Sequence, residues 1–122
     1  MSDRDSRLYL SDILDSGAPI QEFVKGLSFE KFCNDRKTYS AVIREFEIIG
    51  EAVGRLTDEL QREYPDVEWQ DIKDFRNLLI HEYFGVDLEI VWKIIQDDLP
   101  VLLNAVREIL RPESESSIKG LR

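Results

Sequence analysis

A chain of 122 residues, 43% hydrophobic and 34% charged, has the size and composition of one globular domain. Its formal net charge of −9 excludes a broad cationic surface, so any nucleic acid would have to meet a local cationic site. A single cysteine, Cys33, excludes an internal disulfide and a cysteine-based zinc site.

No run approaches the roughly 18 apolar residues of a membrane span. The charged start, Met1 to Asp5, lacks the apolar core of a signal peptide. A cytoplasmic protein is therefore expected, with no membrane partner. Cys33 reads as buried packing.

In chain order, a first helix is expected from about Asp5 to about Gly26, broken or kinked near Pro19 within the turn signal Ser16-Gly17-Ala18-Pro19. Ser28 to Asn34 reads as a short helical connector. A long second helix is expected from about Asp35 to Glu63. In it Val42, Phe46, Ile49, Val53, Leu56 and Leu60 recur at spacings of three and four, as one apolar stripe. Gly50 and Gly54 lie one turn apart, a placement that suggests close approach of another helix.

Pro65 and Asp66 lead into a third helix, from about Glu68 to Glu82. A fourth, from about Asp87 to Leu110, keeps its apolar phase across Pro100 and reads as one kinked helix. Residues 1–111 thus form a single helical domain, and the polar tail 112–122 is expected to be disordered. The fold class is all-α, an up-and-down bundle with short connections.

The third helix carries the only histidine, His81. At about 100° per residue, Trp69, Ile72, Phe75, Leu79 and Tyr83 share one broad face. Arg76 falls inside that face. An arginine there must be paired or line a cavity. It can snorkel to Glu47 or Glu51 of the second helix, or it can stand ready for a phosphate. Asp74, Asn77 and His81 form a polar row on the other side. Arg76 and His81 are about 140° apart, so they converge only if the helix unwinds near His81 or if a second copy contributes.

The segment Arg76-Asn77 … His81-Glu82-Tyr83 spells Arg-x4-His-x-Tyr, and in this it resembles the HEPN-domain proteins, more closely the HepT toxins of HepT/MntA toxin–antitoxin pairs. The likeness covers about residues 5 to 111. It includes Arg7 to Leu14, Ile48-Ile49-Gly50-Glu51-Ala52, Trp69 through Asp87 and Asp98-Leu99-Pro100. The resemblance implies a four- to five-helix bundle that dimerises, with the two motifs facing a shared cleft. It implies a ribonuclease that needs neither metal nor cofactor. It also implies a partner, a small MntA-like nucleotidyltransferase antitoxin that uses ATP to adenylylate the motif tyrosine, here Tyr83.

The expected chemistry is attack of an RNA 2′-hydroxyl on the adjacent phosphate, with tRNA or mRNA as substrate. His81 would move protons, Arg76 would stabilise phosphate charge and Asn77 would orient His81 or a phosphate oxygen. Tyr83 would hold a phosphate through its hydroxyl, and Lys73 is a further candidate phosphate contact. A metal nuclease is the first rival: Glu47 and Glu51 share a helix face, and Asp97 and Asp98 are adjacent. However, a di-iron bundle needs two Glu-x-x-His motifs, and Leu78 stands three before the single His81. The second rival is a non-catalytic dimeric module that binds a nucleotide or a basic protein partner.

Overall fold

The computed structural model describes residues 3–81 and 85–111, with side chains from residue 5 onward. Every regular element among them is helical. These are α1 (Asp3–Val24), α2 (Phe29–Cys33), α3 (Arg36–Gly54), α4 (Asp58–Glu63), α5 (Trp69–His81), α6 (Leu88–Lys93) and α7 (Leu99–Leu110). A π-helical turn, Ile94–Asp98, joins α6 to α7. Tyr83 and the tail 112–122 lie outside the described residues.

α1 departs from expectation. The Ser16–Pro19 stretch is not a turn, because α1 runs straight through it. Gly17 is buried, and a Cβ there would lie 2.5 Å from Leu103 Cδ2 of α7. The small residues serve helix packing instead. Pro19 removes one backbone bond from the helix interior, but Asp15, whose carbonyl loses that bond, is exposed.

The expected long second helix is two helices. α3 ends at Gly54, and Thr57 starts α4 by accepting a hydrogen bond from Leu60 N at 3.2 Å. Gln61 Nε2 reaches back to the carbonyls of Val53 and Leu56 at 3.4 and 3.3 Å, supplying donors at the end of α3. Trp69 Nε1 then donates to Gln61 O and Tyr64 O, both at 3.0 Å. This ties the start of α5 to the end of α4.

The expected fourth helix does continue across Pro100. Proline lacks the N–H of a regular turn, and the widened turn just before it changes the register, with Leu99 N bonding to Ile94 O. Asp87 caps α6 by accepting from Glu89 N at 2.9 Å.

α3 packs between α1 and α5, and α7 lies against α1. Arg7 Nη2 donates to Leu110 O at 3.1 Å, while Gly17 faces Leu103 further along α1. α1 and α7 are therefore antiparallel. Gly50 faces Arg76, and the Phe46 and Phe75 rings meet edge to face at 5.2 Å. The stripes read from the sequence lie in the core: Val42, Phe46, Ile49, Val53 and Leu56 are buried, as are Trp69, Ile72, Phe75 and Leu79, whereas Leu60 is only half-buried and Leu10, Ile13, Ile20 and Phe32 join the core from α1 and α2. Cys33 is a free thiol and only half-buried. No helix among the described residues is long and apolar enough to cross a membrane.

Candidate active site

The site begins with a glycine. Gly50 is buried on the face of α3 that meets α5. Any Cβ there would collide with Arg76 Cβ and lie 2.5 Å from Arg76 Cγ. The missing side chain thus lets the stem of Arg76 lie directly on α3. Gly54, one turn on, has nothing within 4 Å of a Cβ built there, so only one of the two glycines marks a close approach.

The next residue of α3 receives the head of that arginine. Arg76 Nη2 donates to Glu51 Oε2 at 2.9 Å, and Arg55 Nη2 donates to Glu51 Oε1 at 3.2 Å. One carboxylate therefore holds two guanidinium groups. The hydrogen bond to Glu51 also pushes the Arg55 pKa up, reinforcing its permanent charge. Arg76 Nη1 reaches Asn77 Oδ1 at 3.5 Å, the limit of a hydrogen bond. Arg76 Nε is buried and has no partner among the described residues. A guanidinium has five donors. Glu51 takes one of them firmly, which leaves much of this cation's capacity open to a ligand.

Two cavities flank the exposed face of α3. One, of about 470 Å³, lies between α1 and α5 and is lined by Tyr9, Asp12, Arg44, Glu51, Arg55 and Arg76 among others. The second, of about 430 Å³, continues along α3 and is lined by Arg36, Tyr39, Ser40, Arg44 and Leu79 among others. Arg44 and Glu47 line both, so the two form one groove. Four arginines border it. With Asp12, Glu47 and Glu51 also on its walls, the groove has a slight excess of cations in a chain of net charge −9.

His81 is the last helical residue described in α5, and it is exposed. Because the helix stays regular through His81, the divergence of about 140° from Arg76 stands. Within one copy the two side chains do not point at one atom. Ile80, 44% exposed, projects between them. Asn77 is exposed and contacts Arg76, with no bond to His81. Lys73 is half-buried one turn before Arg76 and is not among the residues lining either cavity. Glu51, one of the four carboxylates considered for a metal, is engaged by two arginines.

The single-helix reading missed Arg36, Arg44, Arg55 and Tyr9. Their sequence signal was present: the three arginines fall within about 100° of one another on the polar face of α3. What assigns them to the groove is tertiary packing, of α1 and α5 beside Arg44 and Arg55 and of Leu79, Val86 and Leu88 beside Arg36.

Comparison with known proteins identifies the family. A family model described as "Ribonuclease HepT-like" matches residues 13–109. "Putative RNase MJ0127" of Methanocaldococcus jannaschii is 39% identical over 121 residues, covering 97% of this chain and all of that protein. "Probable ribonuclease HepT" of Thermococcus cleftensis is 41% identical over 99 residues, covering 81% of this chain and 90% of that one. "Putative RNase TTE0752" of Caldanaerobacter subterraneus subsp. tengcongensis is 44% identical over 107 residues, covering 88% and 96%. No solved structure gives a significant match. On the span of the family model and the depth of these identities, the chain belongs to the HepT-like ribonuclease family.

Proposed function

We propose that this chain is an RNA endonuclease that works without a metal ion. It acts as the toxin of a toxin–antitoxin pair, through a composite site built by two copies. The observation that carries the reading is the seating of Arg76. Gly50 admits its stem, Glu51 orients its head, and its remaining Nη donors border an arginine-lined groove, on the same helix as the chain's one imidazole.

In the reaction the RNA 2′-oxygen attacks the adjacent phosphorus and the bond to the 5′-oxygen breaks. The products are a 2′,3′-cyclic phosphate and a 5′-hydroxyl. One group must take the 2′-hydroxyl proton and another must protonate the leaving oxygen. A single imidazole cannot do both at once, whereas a two-fold pair of chains supplies two. The opposed directions of Arg76 and His81 favour the same arrangement. Ile80, 44% exposed on α5 and outside the groove lining, gives a second copy apolar surface to cover. Arg76 stabilises charge on the pentacoordinate phosphate. Asn77, held against Arg76, extends the donor set toward a phosphate oxygen.

Tyr83 follows His81 by two residues and is the site at which a nucleotidyltransferase partner, using ATP, attaches AMP. A bulky anion there fills the cleft and repels RNA. Intact mass measured after coexpression with that partner checks this, and absence of added AMP on Tyr83 removes the modification. The nuclease itself is tested on total tRNA in excess EDTA, with unmodified wild type against His81→Ala. Cleavage by wild type alone, leaving a 2′,3′-cyclic phosphate, supports the mechanism. Equal cleavage by both sinks it. No cleavage by either, from folded dimer, points to a non-catalytic binding module.

A further inference from the structure

The groove is longer than one phosphate needs. It runs along α3 from Arg36 to Arg55, a rise of about 28 Å at helical spacing, which is room for several nucleotides. Arg44 stands where its two cavities meet. The cations are not all spent internally. Glu51 pairs with Arg76 and Arg55, whereas Arg36 and Arg44 make no ion pair among the described residues. Each cavity also has a tyrosine on its wall: Tyr9 beside Arg55 and Arg76, and Tyr39 beside Arg36. Arginines that follow a backbone, interleaved with aromatic rings that offer a base a flat face, are how proteins hold single-stranded nucleic acid.

We propose that this α3 groove is a binding track for single-stranded RNA outside the scissile phosphate. Arg36 and Arg44 contact backbone phosphates, and Tyr39 and Tyr9 contact bases. The proposal rests on the ribonuclease reading and adds where, and in what form, the substrate lies. Stacking on these rings needs bases that are not already stacked within a duplex. The track therefore selects unpaired segments such as loops and ends.

The test is binding of a fluorescent 2′-O-methyl RNA dodecamer, which lacks the attacking hydroxyl, by the full-length protein over a range of salt concentrations. Arg36→Ala and Arg44→Ala should each weaken binding roughly tenfold at low salt, and each should flatten the plot of log affinity against log salt by about 0.7. Arg44→Lys should keep most of the slope. Arg62→Ala removes the same charge from α4, outside both cavities, and should leave the slope at the wild-type value. The track is overturned if Arg36→Ala and Arg44→Ala match wild type in affinity and slope. It is equally overturned if Arg62→Ala lowers the slope as much as they do, or if wild type does not bind the strand. Binding carried by Arg36 and Arg44 in a protein that cuts no RNA would support the track and count against the nuclease reading alone.

Discussion

The two sides of α5 differ in charge balance. On the side facing α3, Arg44, Arg55 and Arg76 are matched by Asp12, Glu47 and Glu51, and Glu51 is bound to two of the arginines. On the other side, a cavity of about 750 Å³ between α5 and the α6–π-turn segment is rimmed by Glu68, Asp71, Asp74 and Asp98 with Lys93 alone in opposition. There, burial first and then the carboxylates of Asp71, Asp97 and Glu68 push the Asp98 carboxyl up. Net charge averages these regions and hides both. A strongly acidic chain can thus gather arginines on one side of a helix while its excess of carboxylates lies on the other.

The largest expected effect breaks the comparison at its centre. Arg76→Ala should lower the cleavage rate by about 10²–10³-fold, while Asp71→Asn on the acidic side should leave it within roughly twofold. Rates measured on one RNA substrate decide. Comparable losses in the two variants would mean that the two faces of α5 are not functionally distinct.

Next come the glycines. Gly50→Ala forces Arg76 off α3 and should cost about 1–3 kcal/mol of stability, together with cleavage. Gly54→Ala meets open space in a helix and should be neutral or stabilising by up to about 1 kcal/mol. Denaturant melts of both variants separate close packing from mere tolerance.

Glu51→Gln keeps the shape of the cradle but removes its charge. The pair is half-exposed, so stability should change by less than about 1 kcal/mol. Cleavage should fall roughly tenfold as Arg76 loses its orientation. A melting curve and a rate measured on the same preparation read both.

The smallest effect belongs to the acidic side. A raised carboxyl holds its proton more tightly in the folded chain than in the unfolded one. Stability is therefore gained as pH falls through the folded value and is lost as pH rises past it. Asp98→Asn should melt slightly higher than wild type at neutral pH. The difference should vanish as pH drops into the ordinary carboxylate range.

Much of this was legible before folding. The stripes of α3 and α5 name much of the core because burial follows helical period, and the wheel of α5 already offered Glu47 or Glu51 as one of two fates for Arg76. The break after Gly54 was obscured because Leu56 and Leu60 stay in phase with α3. The local signal was Thr57 followed by Asp58 and Glu59, a capping residue before an acidic first turn. The Ser16–Pro19 stretch reads as a turn until α7 is present to fill the space beside Gly17. The groove is a tertiary fact. Arg36, Arg44 and Arg55 look like an ordinary solvated face until α1 and α5 pack beside Arg44 and Arg55, and Leu79, Val86 and Leu88 beside Arg36.

The account turns on a site that draws one imidazole from each of two chains, and mixing tests that most directly. Wild type and His81→Ala would be combined in measured ratios, allowed to exchange subunits, and assayed for RNA cleavage in excess EDTA. If both imidazoles are needed, activity falls as the square of the wild-type fraction, to roughly a quarter at equal mixing. A linear fall, to roughly half, would contradict the shared site and return the chemistry to a single chain.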